Sequence, residues 1–144
     1  MGGSGGGGSF SSSDMQRIQT AAEERLKALA SKSTKVLFIC ESTDRKSLEA
    51  QLKKSTIFKK DRVIVIDASE AAKVDELLDS ATFLVAYTDA ASSTAFIDGT
   101  IDKALVKKIG CVHVKANSKA LIPAKITAYR MRSITWRELE SIFK

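Results

Sequence analysis

Glycine all but vanishes after the first nine residues. Of the eight in the chain, only Gly99 and Gly110 lie beyond Gly8. A GxGxxG turn and a Walker-type loop each need several glycines within a few residues, so neither a Rossmann-style dinucleotide grip nor a P-loop is expected. Histidine is reduced to His113, proline to Pro123 and tryptophan to Trp136. The two cysteines, Cys40 and Cys111, form no CxxC pair, and one histidine makes no ligand cluster; a zinc site or a His-activated nucleophile is not expected either. Both cysteines stand inside apolar runs, as buried free thiols in a reducing compartment do. No apolar run approaches the roughly 18 residues of a transmembrane helix, and no signal peptide opens the chain. The expectation is a cytoplasmic protein with no membrane span.

What is present is ordinary globular material. The 144 residues are 44% hydrophobic and 28% charged, enough for one domain with a core and a tail. Lys and Arg number 23 against 17 Asp and Glu, a net charge of +6. That balance permits an acidic partner such as nucleic acid without demanding one, because it also lies in the range that keeps a domain soluble. The basic residues cluster as Lys53, Lys54, Lys59, Lys60 and Arg62, then Lys103, Lys107 and Lys108, then Arg130, Arg132 and Arg137. Nucleic-acid modules interleave aromatics with such clusters. Only Phe58 does so here, which leaves a solvated face as the first reading and an electrostatic assembly face as the second.

Three regions follow from the composition. Residues 1–13, opening GGSGGGGS, are a flexible Gly/Ser arm or linker that cannot build a core. Residues 14–31 predict an amphipathic helix, capped by Asp14, with Ile18, Ala22, Leu26 and Leu29 on one stripe. It either packs on the flank of its own domain or docks a partner. Residues 34–144 alternate strand and helix. The run Val36–Cys40 is apolar throughout, the mark of a strand buried on both faces. It stops at a polar loop, Glu41 to Asp44, before a helix to about Lys54.

Further strands are predicted at Arg62–Asp67, Thr82–Tyr87, Cys111–Lys115 and about Tyr129–Ile134. Between them come a short helix capped by Ser69 and a helix from about Ala95 to Ile109 ended by Gly110. The stretch Leu121–Ala128 reads as irregular or a single turn. Thr135 and Glu138 form a capping box for a last helix. Strands separated by helices imply right-handed crossovers. The predicted fold is α/β: a single doubly wound, flavodoxin-like domain with a five-stranded, mostly parallel sheet. In such sheets ligands bind at the carboxyl ends of the strands. There Ser42, Thr43 and Asp44, and likewise Ser92, Ser93 and Thr94, read first as helix caps and second as ligand contacts.

Cys40 with Lys46 and Ser47 faintly resembles the cysteine loop of low-molecular-weight tyrosine phosphatases and sugar-transport IIB proteins. The phosphate-gripping arginine and the loop glycine are missing, and Glu41 would repel an incoming phosphate.

A wider resemblance runs through the domain. Phe38-Ile-Cys-Glu-Ser-Thr-Asp-Arg-Lys46 is similar to the opening strand and loop of a Toll/interleukin receptor (TIR) domain. Val74-Asp-Glu-Leu-Leu-Asp-Ser-Ala-Thr-Phe-Leu-Val-Ala-Tyr87 resembles the family's second helix and third strand. Ala91-Ser-Ser-Thr-Ala-Phe-Ile-Asp-Gly-Thr-Ile-Asp-Lys-Ala104 resembles the next loop and helix. Leu121-Ile-Pro-Ala-Lys-Ile126 and Trp136 resemble the later proline turn and terminal tryptophan. The order and spacing of these stretches carry the likeness to a degenerate TIR-like domain.

The resemblance implies one of two functions. Many TIR domains are interaction modules that assemble with their own kind in signalling; others cleave NAD at the nicotinamide–ribose bond with one glutamate. That position aligns here to Thr100 or Gly99, and the aromatic before it to Ala95 or Phe96. Asp98 is the only candidate substitute. The expectation is therefore a non-catalytic, TIR-like protein-interaction module that self-associates and needs no cofactor. Its assembly candidates are Lys53, Lys54, Lys59, Lys60, Lys107 and Lys108. The alternatives are an NAD or nucleotide N-glycosidase or deoxyribosyltransferase-like enzyme, with Ser42, Asp44, Arg45, Ser92, Ser93 and Asp98 around the nucleotide, or a structural subunit of a larger assembly.

Overall fold

The computed structural model describes residues 35–81 and 83–144. The Gly/Ser arm and the helix predicted over 14–31 lie outside the described residues, as does Thr82. Within them the chain runs β1 (Val36–Cys40), α1 (Arg45–Lys54), β2 (Val63–Asp67), α2 (Val74–Ser80), β3 (Phe83–Thr88), α3 (Ala95–Val106), β4 (Gly110–Lys115), α4 (Ala124–Ala128), β5 (Ser133–Ile134) and α5 (Trp136–Phe143). The sheet has the order β2-β1-β3-β4-β5, and every pairing is parallel. This is a doubly wound α/β domain of flavodoxin-like order.

The all-apolar strand β1 sits between β2 and β3, and all five of its residues are fully buried. Burying an aliphatic or aromatic side chain of this size is worth roughly 2 kcal/mol, so this one strand anchors both layers. Val36, Phe38 and Cys40 face the layer made by α1 and α5, and Leu37 and Ile39 face α2, α3 and α4. The first layer holds nearly all the buried aromatics. Phe58 lies 5.2 Å from Phe38, 5.7 Å from Trp136 and 5.1 Å from Phe143, ring centre to ring centre. The second layer is aliphatic: Val74 and Leu78 of α2, Ile97, Ile101 and Ala104 of α3, and Ile126 of α4. Aspartates 75 and 79 of α2 pair with Lys103 and Lys107 along the outside of this layer.

Several sequence expectations are corrected at the element ends. The Ala95 helix stops at Val106 rather than Ile109, and the left-handed residue that ends it is Lys108 (φ 59°), not Gly110, which opens β4. The cap before α2 is Asp67, not Ser69. Its side chain accepts from the Ser69 amide while Glu70 reaches back to the Asp67 amide, closing a capping box over a 3-10 stretch, Ala68–Lys73. The fifth strand shrinks to two residues, because α4 runs to Ala128 and Arg130 (φ 55°) turns the chain. The stretch Leu121–Ala128, expected to be irregular or a single turn, holds the five-residue helix α4, little more than one turn, entered from Pro123. The capping box of Thr135 and Glu138 stands as expected.

Candidate functional site

Winding outward from β1 in two directions opens a crevice at the carboxyl ends of β1 and β3, the switch point where ligands of such folds sit. Donors for an anion converge here: the first amides of α3, with the positive end of its dipole, and the amides of the loop after β3. In this chain its own carboxylates occupy both sets.

Glu41, directly after β1, accepts the Ile97 N–H of the first turn of α3 at 3.1 Å. Burial pushes its carboxyl above the usual range, against the pull of the amide bonds from Ile97 and Phe96. Asp44, almost wholly buried, accepts the Asp89 N–H at 2.9 Å and the Ala90 N–H at 2.8 Å. It therefore ties the β3–α3 loop to the start of α1 across 45 residues. Asp89 is held in turn by Ser47 (2.7 Å) and Asn117 (2.6 Å). Because the Ser47 proton goes to Asp89, the Tyr87 hydroxyl donates to Ser47 at 2.7 Å.

A second cluster lies beside it at the end of β2. The Arg45 guanidinium reaches Glu70 at 2.6 Å and Asp67 at 3.2 Å, and Ser42 donates to Asp67 at 3.3 Å. The Ser69 hydroxyl and amide, with Arg45, hold the Asp67 carboxyl below its ordinary range. Arg45 does the same for Glu70.

The residues proposed from sequence fall into separate places. Ser42 and Arg45 belong to the Asp67 cluster, and Asp44 to the β3–α3 loop. Ser42 and Asp44 make no side-chain cap to α1, contrary to the capping reading. Ser93 accepts the Ala95 amide at 3.3 Å as a weak cap for α3, while Ser92 is exposed. Thr94, at the cap position, makes no side-chain cap bond and donates instead to Asp98 at 2.9 Å. The other Asp98 oxygen accepts the Lys125 N–H at 2.8 Å, at the start of α4. Asp98 is thus a clasp between α3 and α4, and neither Ser42 nor Arg45 is among its bonded partners. Thr100, at the position of the family's glutamate, is buried and bonded to the Phe96 carbonyl.

Sequence reasoning placed His113 in no site. It is fully buried in β4, with Nε2 2.8 Å from Thr88 Oγ1 and Nδ1 2.7 Å from Ser133 Oγ. Thr88 gives its proton to the Leu121 carbonyl (2.7 Å), so Nε2 must carry the hydrogen and Nδ1 accepts from Ser133. Burial, helped by Lys115, lowers the histidine to about 4. It is a neutral core residue tying β3, β4 and β5 together.

The lysines named as assembly candidates gather at the opposite, amino end of the sheet. Lys53 and Lys54 end α1, where cations suit the helix dipole, and Lys59 and Lys60 precede β2. All four are exposed, and none is ion-paired with another described residue. Lys107 pairs with Asp79, and Lys108 stands exposed beside it. Among the described residues no His, Cys, Asp or Glu side chains are grouped to hold a metal ion, and no helix is long and apolar enough to cross a membrane.

No family model matches the chain, and neither a curated protein nor a solved structure matches it.

Proposed function

We propose that this domain is a non-catalytic, TIR-like protein-interaction module that acts by homotypic self-assembly or scaffolding, in the manner of cytoplasmic signalling domains. The observation that carries this reading is the self-occupied switch point. The amides with which an α/β crevice would grip a phosphate or nucleotide are already bonded to Glu41 and Asp44. Each such charge-assisted bond is worth roughly 1.5–3 kcal/mol. Displacing three of them would cost an incoming anion several decades of affinity. The one candidate catalytic carboxylate, Asp98, has both oxygens engaged, one by Thr94 at the start of α3 and the other by the Lys125 N–H of α4. The four exposed lysines at the amino end of the sheet supply an assembly face whose attraction would weaken with salt.

The test is to incubate the purified full chain with NAD, following nicotinamide release while light scattering reports assembly in the same tube. The expected result is scattering that grows with protein concentration, falls with salt, and is accompanied by no nicotinamide. Nicotinamide release that disappears in Asp98→Ala would overturn the reading in favour of an N-glycosidase. A chain that stays monomeric at every concentration would overturn self-assembly.

A further inference from the structure

Strand β2 closes one side of the sheet, and among the described residues it pairs only with β1. Val63, Ile64 and Val65 are half-buried, while all five residues of β1 are fully buried. On the α1 side, Val63 and Val65 floor a groove of about 370 Å3, walled by Leu52 of α1 and Phe58 of the connection. Its polar lining is Lys53, Lys60 and Glu49, the last paired with Arg45. An apolar edge strand without proline is a template for another strand, because its outer side offers a row of backbone donors and acceptors.

We propose that the β2 edge pairs antiparallel with the β2 edge of a second copy, joining two five-stranded sheets about a two-fold axis. The inference rests on the self-association proposed above and names its interface. Charge complementarity carries it. The chain enters β2 through Lys59-Lys60-Asp61-Arg62 and leaves it through Asp67-Ala68-Ser69-Glu70. The entry is basic. At the exit Asp67, Glu70 and Glu49 gather on Arg45, with Lys73 on Glu70, so three carboxylates face two cations. A strand with ends of opposite sign is self-complementary when two copies run antiparallel. Each basic entry then lies along the other copy's acidic exit, and symmetry repeats the match. Parallel pairing would set like charges side by side.

The register follows from the same charges. Side chains alternate between the faces of a strand, so a two-fold perpendicular to the sheet sets one residue opposite its own copy. With Ile64 on the axis, Asp61 would meet Asp67 of the other copy. With Val65 there, Ile64 meets Ile66 and Lys60 is brought to Glu70. Both grooves then open on one face, and Val63 and Val65 of the two copies form a continuous apolar floor.

The experiment is amide hydrogen exchange on the full chain across a dilution series, with oligomeric state followed by analytical ultracentrifugation. The expected result is a monomer–dimer equilibrium in which amides of residues 63–67 exchange several-fold more slowly in the dimer. Those of residues 83–88, in the sheet centre, should exchange alike in both. A dimer whose β2 amides exchange as in the monomer would overturn the proposal while leaving self-association standing. Equally slow β2 exchange in the monomer would overturn it too, since the edge would then be covered within one chain. A chain that stays monomeric overturns both readings. Register is read from Val65→Cys treated with oxidised glutathione, because directly opposed residues of an antiparallel pair lie about 4.5–5.5 Å apart, within disulfide reach. A covalent dimer should form there and not in Lys119→Cys, at an exposed site away from the edge. Equal cross-linking of the two variants, or none at position 65, would overturn the Val65 register.

Discussion

The Glu41 carboxylate at the end of β1 accepts the backbone N–H of Ile97 in the first turn of α3, 56 residues further on, with Oε2 and N 3.1 Å apart. It stands where an anionic ligand of a doubly wound fold would place its charge. Glu41→Ala should cost about 1 kcal/mol, as loss of a helix cap does, and should leave the α3 amides free. Inorganic phosphate should then raise the melting temperature of the variant but not that of the wild type, with chloride at matched ionic strength as control. Equal stabilisation of both by phosphate would mean that Glu41 does not occupy an anion seat.

Asp44 is the structural counterpart on the other side of the crevice. Its two oxygens satisfy two backbone amides in a nearly closed site. Asp44→Ala strands both donors, which should lower the unfolding free energy by about 3 kcal/mol. Asp44→Asn keeps one acceptor oxygen and should fall between the variant and the wild type. Urea titrations of the three proteins measure the order; an alanine variant as stable as wild type would remove Asp44 from this role.

His113 predicts how stability responds to acid. Its folded value, near 4, lies below the ordinary 6.5, so the unfolded chain binds the proton more readily. The neutral ring's contribution is complete above about pH 6.5 and is lost as pH falls toward 4, by roughly 3 kcal/mol at 1.36 kcal/mol per pKa unit. Asp67 and Glu70, whose values lie below the ordinary carboxylate range, add to acid sensitivity only at lower pH. Unfolding free energies at pH 7 and 4.5 should therefore differ in the wild type and differ much less in His113→Gln. An identical pH slope in the two would contradict the assignment.

Phe58 should be the costliest single truncation outside the strands. It is buried against Phe38, Trp136 and Phe143, which join β1 to α5. Phe58→Ala should cost about 3–5 kcal/mol, the usual range for an aromatic cut from a packed core. Loss of the near-ultraviolet tryptophan signal at a lower urea midpoint would report it. A change within about 1 kcal/mol would show that the connection before β2 can collapse into the space.

By itself, the sequence determined the layering. The unbroken run Val36–Cys40 and the periodic stripe Ile97, Ile101 and Ala104 encode burial locally, and burial dictates a parallel sheet covered on both faces. The capping box at Thr135 was legible for the same reason, since both partners lie within four residues.

Only the tertiary structure decided what the polar residues do. Asp44 reads as a cap from sequence and in fact holds amides 45 residues away; Asp98 reads as a candidate catalyst and in fact clasps α3 to α4. Gly110 and Ser69 carry the local signals of a helix end and a cap, yet the left-handed turn falls on Lys108 and the cap on Asp67. Hydrophobic burial is non-directional and leaves its period in the chain. A hydrogen bond depends on where two atoms meet, and that meeting exists only after the strands are in register.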